Sequence, residues 1–241
     1  MKRVLTFLVG LALLVPLSVT VLAQNDEFPQ TEGPIFEIAI RRIVDPENWA
    51  TRTIALNELV AEQDGFIATG EYAAFFGLPE IAQDEIIGLG LSEWASLDAY
   101  MATGALLQDP TVISYFETIE SIQNIVVQPF VLNEEITMDD LGEPGQVLEI
   151  AIRDISSYDD PVDFFRSIRG FTHQLTQLEG VIREFEWLSV DGQYFVGMTL
   201  YESMEIYLAA AQNEDLLSHP ATQKIFTEYP PMLALMTLRS E

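Results

Sequence analysis

The pentapeptide EIAIR occurs twice in this chain, at residues 37–41 and again at residues 149–153. Each copy precedes an Asp-Pro helix start, at residues 45–46 and 160–161. The same signals then recur in the same order: a helix-length stretch that ends in an acidic-Gly pair, an apolar strand with a central Gly, and a second helix that carries a Tyr. A repeat of about 95 residues is too long for a solenoid unit and matches a small domain. The sequence therefore predicts a duplicated domain.

Alternation and turn signals predict the elements within each copy. In the second copy Leu148, Ile150 and Ile152 lie on one face of a strand, because successive side chains point to opposite faces. Asp160 is expected to cap a helix that begins with Pro161. The predicted order in both copies is strand–helix–strand–strand–helix–strand, which is the ferredoxin-like βαββαβ arrangement.

A single βαββαβ unit covers only one face of its sheet with helices, so the other apolar face stays bare. Two tandem units can cover these faces within one chain. The predicted fold class is therefore α+β, with two ferredoxin-like units forming a pseudo-dimeric α/β barrel. The first repeat is assigned to residues 35–131 and the second to residues 147–241. Between them an acidic linker at residues 132–146, rich in Glu, Asp, Gly and Pro, is interpreted as a solvated segment.

The N-terminal residues predict a secretory signal peptide. Lys2 and Arg3 precede an apolar run at residues 4–22, which closes with a small-x-small site before Gln24. We therefore assign a signal peptide to residues 1–23, a polar tether to 24–34, and a secreted or extracytoplasmic bacterial location. The alternative is an uncleaved membrane anchor, since about nineteen apolar residues can just span a bilayer.

Charge and composition exclude several classes of protein. The chain has 11 basic and 38 acidic residues, a formal net charge of −27, and no cysteine. Such a field disfavours binding to nucleic acid, and stable membrane insertion is not expected after cleavage. With two histidines and no thiolate, no metal site is expected. The protein is predicted to be a pseudo-dimer within one chain, with a monomer as its simplest state.

A resemblance to a known family rests on two short stretches, the run LSEWASLDAY at residues 91–100 and the His-Pro dipeptide at residues 219–220. With the repeated topology over residues 35–239, the chain resembles the dimeric α/β-barrel superfamily, and most closely antibiotic biosynthesis monooxygenase (ABM)-like domains in tandem. The resemblance implies oxidation of phenolic or quinol-like substrates by molecular oxygen, without metal or flavin. No cofactor is therefore expected. Haem is the alternative, because some relatives bind it.

The resemblance also singles out candidate site residues. His219 is the candidate base or haem ligand, and His173 is the weaker candidate, because imidazole titrates near neutral pH. The candidate pocket walls are aromatic: Trp94, Tyr100, Trp187 and Tyr201. For each of these side chains a structural role in the core or at a helix end is the competing interpretation.

The repeated pentapeptide supplies four charged candidates. Glu37 and Arg41 in the first copy, and Glu149 and Arg153 in the second, each lie on the same face of a strand. They are interpreted either as polar anchors inside a pocket or as ion pairs at the barrel rim.

Three functions follow from these features. The first is an exported, cofactor-independent monooxygenase that acts on a small aromatic substrate. The second is a non-catalytic module that binds a small hydrophobic ligand, and the third is a haem-handling protein. Divergence between the copies favours one working site over two.

The signal-peptide assignment predicts that the mature protein begins at Gln24 and is released from the membrane. N-terminal sequencing of the exported protein tests this prediction. An intact Met1 in the membrane fraction would instead support the anchor.

Overall fold

The computed structural model describes residues 33–82, 84–130 and 135–239. The assigned signal peptide and most of the tether lie outside these residues, so both stay predictions. In the part of the chain that is described, no helix is long and apolar enough to span a membrane. We call residues 35–130 the first half and residues 147–239 the second half.

The described residues form eight strands with helices between them. The strands are β1 (Ile35–Ile43), β2 (Phe66–Leu78), β3 (Ile87–Trp94), β4 (Ile119–Pro129), β5 (Val147–Asp154), β6 (Val181–Ser189), β7 (Tyr194–Tyr201) and β8 (Leu233–Arg239). The α-helices are α1 (Pro46–Ala61), α2 (Leu97–Ala102), α3 (Pro110–Phe116), α4 (Pro161–Leu175), α5 (Met204–Ala211), α6 (Glu214–Ser218) and α7 (Pro220–Glu228). Short 3₁₀ helices occupy Thr103–Gln108, Met138–Leu141 and Ile155–Ser157.

The strands close into one antiparallel barrel in the order β1-β3-β2-β8-β5-β7-β6-β4. The first half contributes the neighbours β4-β1-β3-β2, and the second half contributes β8-β5-β7-β6, which is the same order. The halves join where β2 pairs with β8 and where β4 pairs with β6. The α+β barrel is thus confirmed. Because its edge strands pair with each other, the barrel leaves no open sheet edge.

The two pentapeptides occupy matching places in the barrel. Ala39 lies opposite Gly90 in the β1–β3 pair, and Ala151 lies opposite Gly197 in the β5–β7 pair. Alternation along each strand turns the isoleucines of the pentapeptide into the barrel and its Glu, Ala and Arg side chains outward. Each half therefore presents a Glu and an Arg on the face that its helices cover.

Side chains fill the inside of the barrel. The largest apolar cluster draws on all eight strands and includes Phe36, Leu91, Phe185 and Trp187. Trp187 is fully buried there, with its ring centroid 4.8 Å from that of Phe36 in an edge-to-face contact. Such packing makes the barrel interior a core rather than a channel.

The acidic linker is more than the solvated segment that its composition suggests. Ile136, Met138 and Leu141 are buried in the barrel core, while Asp139 and Glu143 are exposed. The Tyr72 hydroxyl donates to the Leu141 carbonyl at 3.1 Å, which fixes the segment against β2. The interpretation as a solvated linker is wrong for its apolar side chains, because every second or third residue covers the core while the acids face water.

The helices of the two halves begin where the Asp-Pro signals place them. The Asp45 and Asp160 side chains accept hydrogen bonds from backbone N–H groups in the first turns of α1 and α4. The second helical region of the second half is split into α5 and α6, because the Asn213 side chain caps a new helix by accepting from the Leu216 N–H.

The buried linker predicts a stability effect. Leu141→Ala removes a fully buried side chain, so the free energy of unfolding should fall by about 2–5 kcal/mol. Glu143→Ala, at an exposed position two residues away, is the matched control and should change it by less than about 0.5 kcal/mol. Urea unfolding measures both values. Equal midpoints for the two variants would show that the segment does not belong to the core.

Candidate functional site

A cavity of about 220 Å³ lies between the outer face of the second-half sheet and helices α4 to α7. Its walls are mainly apolar side chains of the helices and of β8: Ile168, Phe171, Leu175, Ala210, Leu216, Phe226, Ala234 and Met236. Of the lining side chains, Leu78, Leu217 and Phe226 are about half exposed, so they mark the mouth of the cavity. We call this space the second-half cavity.

Polar side chains of three neighbouring strands form the floor of this cavity. Glu149 from β5 accepts a hydrogen bond of 2.8 Å from the Tyr201 hydroxyl of β7. Glu184 from β6 accepts one from the Thr199 hydroxyl, also of β7. Each carboxyl therefore has a hydroxyl partner on the next strand and lies beneath apolar walls.

Burial controls the protonation of these groups. It raises the pKa of the Glu184 carboxyl well above its ordinary value, and the nearby Glu149 and Glu186 act in the same direction. Burial also raises the pKa of Glu149, against the opposing effects of Tyr201 and Arg153. Burial and then Glu149 raise the pKa of Tyr207 to about 12. The floor thus carries two carboxyls whose neutral forms are favoured, a combination typical of functional sites.

Arg153 lies beside these carboxyls and also lines the cavity. Its Nε donates to the Tyr229 carbonyl at 2.9 Å, and the residue is 3% exposed. Within the described ranges, no carboxylate lies within ion-pair distance of its guanidinium, and its two terminal nitrogens make no hydrogen bond. Burial lowers the pKa of Arg153, although an arginine stays charged in proteins.

The corresponding arginine of the first half has partners for both of its terminal nitrogens. Arg41 makes an ion pair of 2.6 Å with Glu71 and donates a second hydrogen bond to the Tyr115 hydroxyl. Tyr115 lies five residues after Pro110, and the residue five after Pro220 in the second half is Ile225, which has no polar group. The two halves thus differ in whether the chain itself neutralises this arginine.

Two matching glycines show the same difference. A Cβ at Gly90 would collide with the Arg41 guanidinium, so the first-half arginine lies across its glycine. A Cβ at Gly197 would meet only Glu184 and Phe195, at 3.4 and 3.7 Å, and no atom of Arg153. The space over Gly197 is therefore part of the cavity, whereas the space over Gly90 is filled.

The first-half candidates form a hydrogen-bonded cluster around Glu37. This carboxylate accepts hydrogen bonds from Ser92 at 3.0 Å, Tyr100 at 3.2 Å and Asn124 at 2.8 Å. Trp94 donates to Ser92 at 2.9 Å and contacts the Tyr100 ring edge-to-face. Trp94 and Tyr100 thus contact each other but do not line the second-half cavity.

The remaining candidates are distributed over different environments. Tyr201 lines the cavity, whereas Trp187 lies inside the barrel. His219 is the N-cap of α7, where its Nδ1 accepts from the Ala221 N–H at 3.3 Å, and it is not among the residues that line the cavity. The side chain of His173 is exposed on α4. A role for either histidine in catalysis or haem ligation stays a prediction.

Sequence reasoning missed Glu184, Thr199 and Tyr207. One signal for Glu184 was available, since it alternates with the core residues Phe185 and Trp187 and so must face the helices. Its pairing with Thr199 depends on the β6–β7 register, which shifts near Val181. No local pattern in the sequence specifies that shift.

This arrangement can hold a small, mainly apolar molecule and exchange a proton with it. The residues present do not fit haem, because no histidine lines the cavity and its volume lies below the range of about 300–1,000 Å³ typical of pockets for drug-sized ligands. Tyr201 and Met236 have the right chemistry for axial ligation, but the Tyr201 hydroxyl is bonded to Glu149.

Comparison with known proteins identifies the fold. No family model and no curated protein matches the chain. Among solved structures, an anthrone oxidase-like protein matches with a TM-score of 0.61 and 10% identity, over 87% of this chain and 92% of its own. A candidate monooxygenase from Fusobacterium nucleatum matches with a TM-score of 0.53 and 9% identity, over 88% of this chain and 94% of its own.

A haem-binding protein from Thermus thermophilus is also similar, with a TM-score of 0.54 and 9% identity, over 88% of this chain and 92% of its own. At these identities the likeness concerns the fold alone. The chain therefore shares its α+β barrel fold with proteins that are named as monooxygenase-like or haem-binding.

Proposed function

We propose that this protein binds a small aromatic or otherwise hydrophobic molecule in the second-half cavity. The observation that carries the proposal is a cavity of about 220 Å³ with apolar walls and a floor of partly buried carboxyls and buried hydroxyls. A dry apolar cavity of about 150 Å³ is large enough to bind benzene. The second-half cavity is accordingly large enough for a small aromatic molecule.

We further propose that the bound molecule is oxygenated without a cofactor. Conversion of a CH₂ group between aromatic rings into a ketone by O₂ releases one water and needs no other reductant. The protein would hold the ring, exclude water and accept the proton on Glu184 or Glu149. A carboxyl with a raised pKa is a stronger base once it is ionised, which suits this role. Fold neighbours named as an anthrone oxidase-like protein and a candidate monooxygenase support the proposal.

The site belongs to only one half in this proposal. We take the halves to be tandem ferredoxin-like, ABM-like repeats, which the repeated pentapeptide and the equal strand orders support. The first half then retains Arg41 and Glu37 in internal networks, and the second half retains the open cavity. We propose that the protein acts outside the cytoplasm after loss of residues 1–23, as the N-terminal sequence predicts.

Haem is the alternative ligand, because one fold neighbour is named as a haem-binding protein. Haem binding would require the cavity to widen or a different surface to be used. A titration of the mature protein with haem distinguishes these cases, since a Soret shift that disappears in His219→Ala would locate the haem at the α7 cap.

Filling the second-half cavity should abolish ligand binding. Gly197→Val adds a side chain at the cavity floor, where a Cβ has only ordinary van der Waals contacts, so the variant should fold but bind neutral indole at least tenfold more weakly than wild type. Gly88→Val, on the equivalent first-half strand and also with ordinary Cβ contacts, is the matched control. Isothermal titration calorimetry measures the affinities. Unchanged indole binding by the Gly197 variant would reject this cavity as the binding site.

Measurement of oxygen uptake distinguishes an oxygenating enzyme from a non-catalytic binding module. With anthrone as substrate, an active wild type should lose about a hundredfold of its rate in Glu184→Gln or Glu149→Gln. Ligand binding without any oxygen uptake in the wild type would favour the non-catalytic module.

The raised pKa of Glu184 predicts how stability depends on pH. The folded state binds a proton more tightly than the unfolded state, so this contribution is complete below the ordinary pKa of 4.5 and is lost as the pH rises towards the folded-state pKa. Glu184→Gln mimics the protonated form. Its free energy of unfolding should match wild type near pH 4 and exceed it increasingly at higher pH, by up to about 1.4 kcal/mol per pH unit.

The matched control for this effect is Glu202→Gln, which removes one negative charge at an exposed position. Urea denaturation between about pH 4 and pH 8 provides the comparison. Parallel stability curves for the two variants would mean that Glu184 is not held in its neutral form.

A further inference from the structure

Arg153 is the feature of the second-half cavity that the proposed function does not use. It is almost completely buried, its Nε is held by the Tyr229 carbonyl, and its terminal nitrogens have no partner among the described residues. A buried charge without a partner is strongly destabilising, and proteins normally pair it. Arg41, in the matching place of the first half, has such partners in Glu71 and Tyr115.

The nearby acids do not supply the missing partner. Glu149 accepts from Tyr201 and Glu184 accepts from Thr199, and neither carboxylate makes an ion pair with Arg153. Burial raises the pKa of both carboxyls and so favours their neutral forms. The cavity therefore contains a cationic group with an open hydrogen-bonding edge and two acids that compensate its charge only weakly.

The walls specify the rest of the ligand. Phe171, Leu175 and Met236 are apolar, and the mouth is formed by the half-exposed Leu78, Leu217 and Phe226. A molecule that enters here must have an apolar body. A dianion is disfavoured, because its second charge would be buried without another cation among the described residues that line the cavity.

We infer that the ligand of the second-half cavity is a small hydrophobic monocarboxylic acid, bound as its anion with the carboxylate on Arg153 and the apolar body against the helices. This inference rests on the proposed function, since it specifies the molecule that the cavity takes. The planar guanidinium matches a carboxylate in a two-point hydrogen bond, which a neutral amide cannot reproduce. One bound monoanion also neutralises the buried arginine.

A pair of nearly isosteric ligands tests the inference. Cinnamate and cinnamamide differ mainly in charge, and isothermal titration calorimetry gives their dissociation constants. Wild type should bind cinnamate at least about tenfold more tightly, as expected for a hydrogen bond between charged groups. Arg153→Met should lose this preference and bind cinnamamide within about twofold of wild type. Arg153→Lys, which keeps the charge but not the two-point geometry, should retain only part of the preference.

The control is Arg169→Met, which removes an equal charge from an exposed position on α4 and should behave as wild type. Equal affinity of wild type for the two ligands, or a preference that survives in Arg153→Met, would overturn the inference while leaving the proposed hydrophobic site intact. If neither ligand nor indole binds, the proposed function fails together with the inference. If Arg153→Met does not fold, the wild-type preference and the Arg153→Lys variant decide the matter.

Discussion

The structure depends on the closure of eight antiparallel strands into one barrel. Closure requires β2 to pair with β8 and β4 to pair with β6, so each half completes the sheet edges of the other. It also turns one face of every strand into a shared interior, which large apolar side chains fill. Because that interior is packed, the second-half cavity lies on the outer face, between the sheet and its helices.

The linker between the halves takes part in this closure. Its Ile136, Met138 and Leu141 side chains complete the apolar cluster inside the barrel, and the Glu93 carboxylate accepts a hydrogen bond of 2.8 Å from the Met138 N–H. A segment with such an acidic composition can do this because acids and apolar residues alternate along it. The connection therefore contributes to the core as well as to solubility.

The outer faces of the halves show how the same pentapeptide can have two different roles. Both pentapeptides place a Glu and an Arg beneath helices, but the first-half pair is bound into internal networks through Glu71, Tyr115 and Ser92. In the second half the arginine forms no ion pair with any described residue, and the space above Gly197 is open. The same backbone thus supports a structural ion pair on one side and a candidate ligand site on the other.

The sequence by itself determined the α+β class, the antiparallel barrel, the Asp-Pro helix starts and the outward-facing residues of both pentapeptides, because alternation and capping are local properties. It also identified Tyr201, Glu149 and Arg153, which line the cavity. Only the tertiary structure decided that Trp187 lies in the core, that His219 caps a helix and that Glu184 joins the site. The pairing of Glu184 with Thr199 depends on strand register, and the partners of Arg41 and Arg153 depend on contacts between distant parts of the chain, which no local pattern specifies.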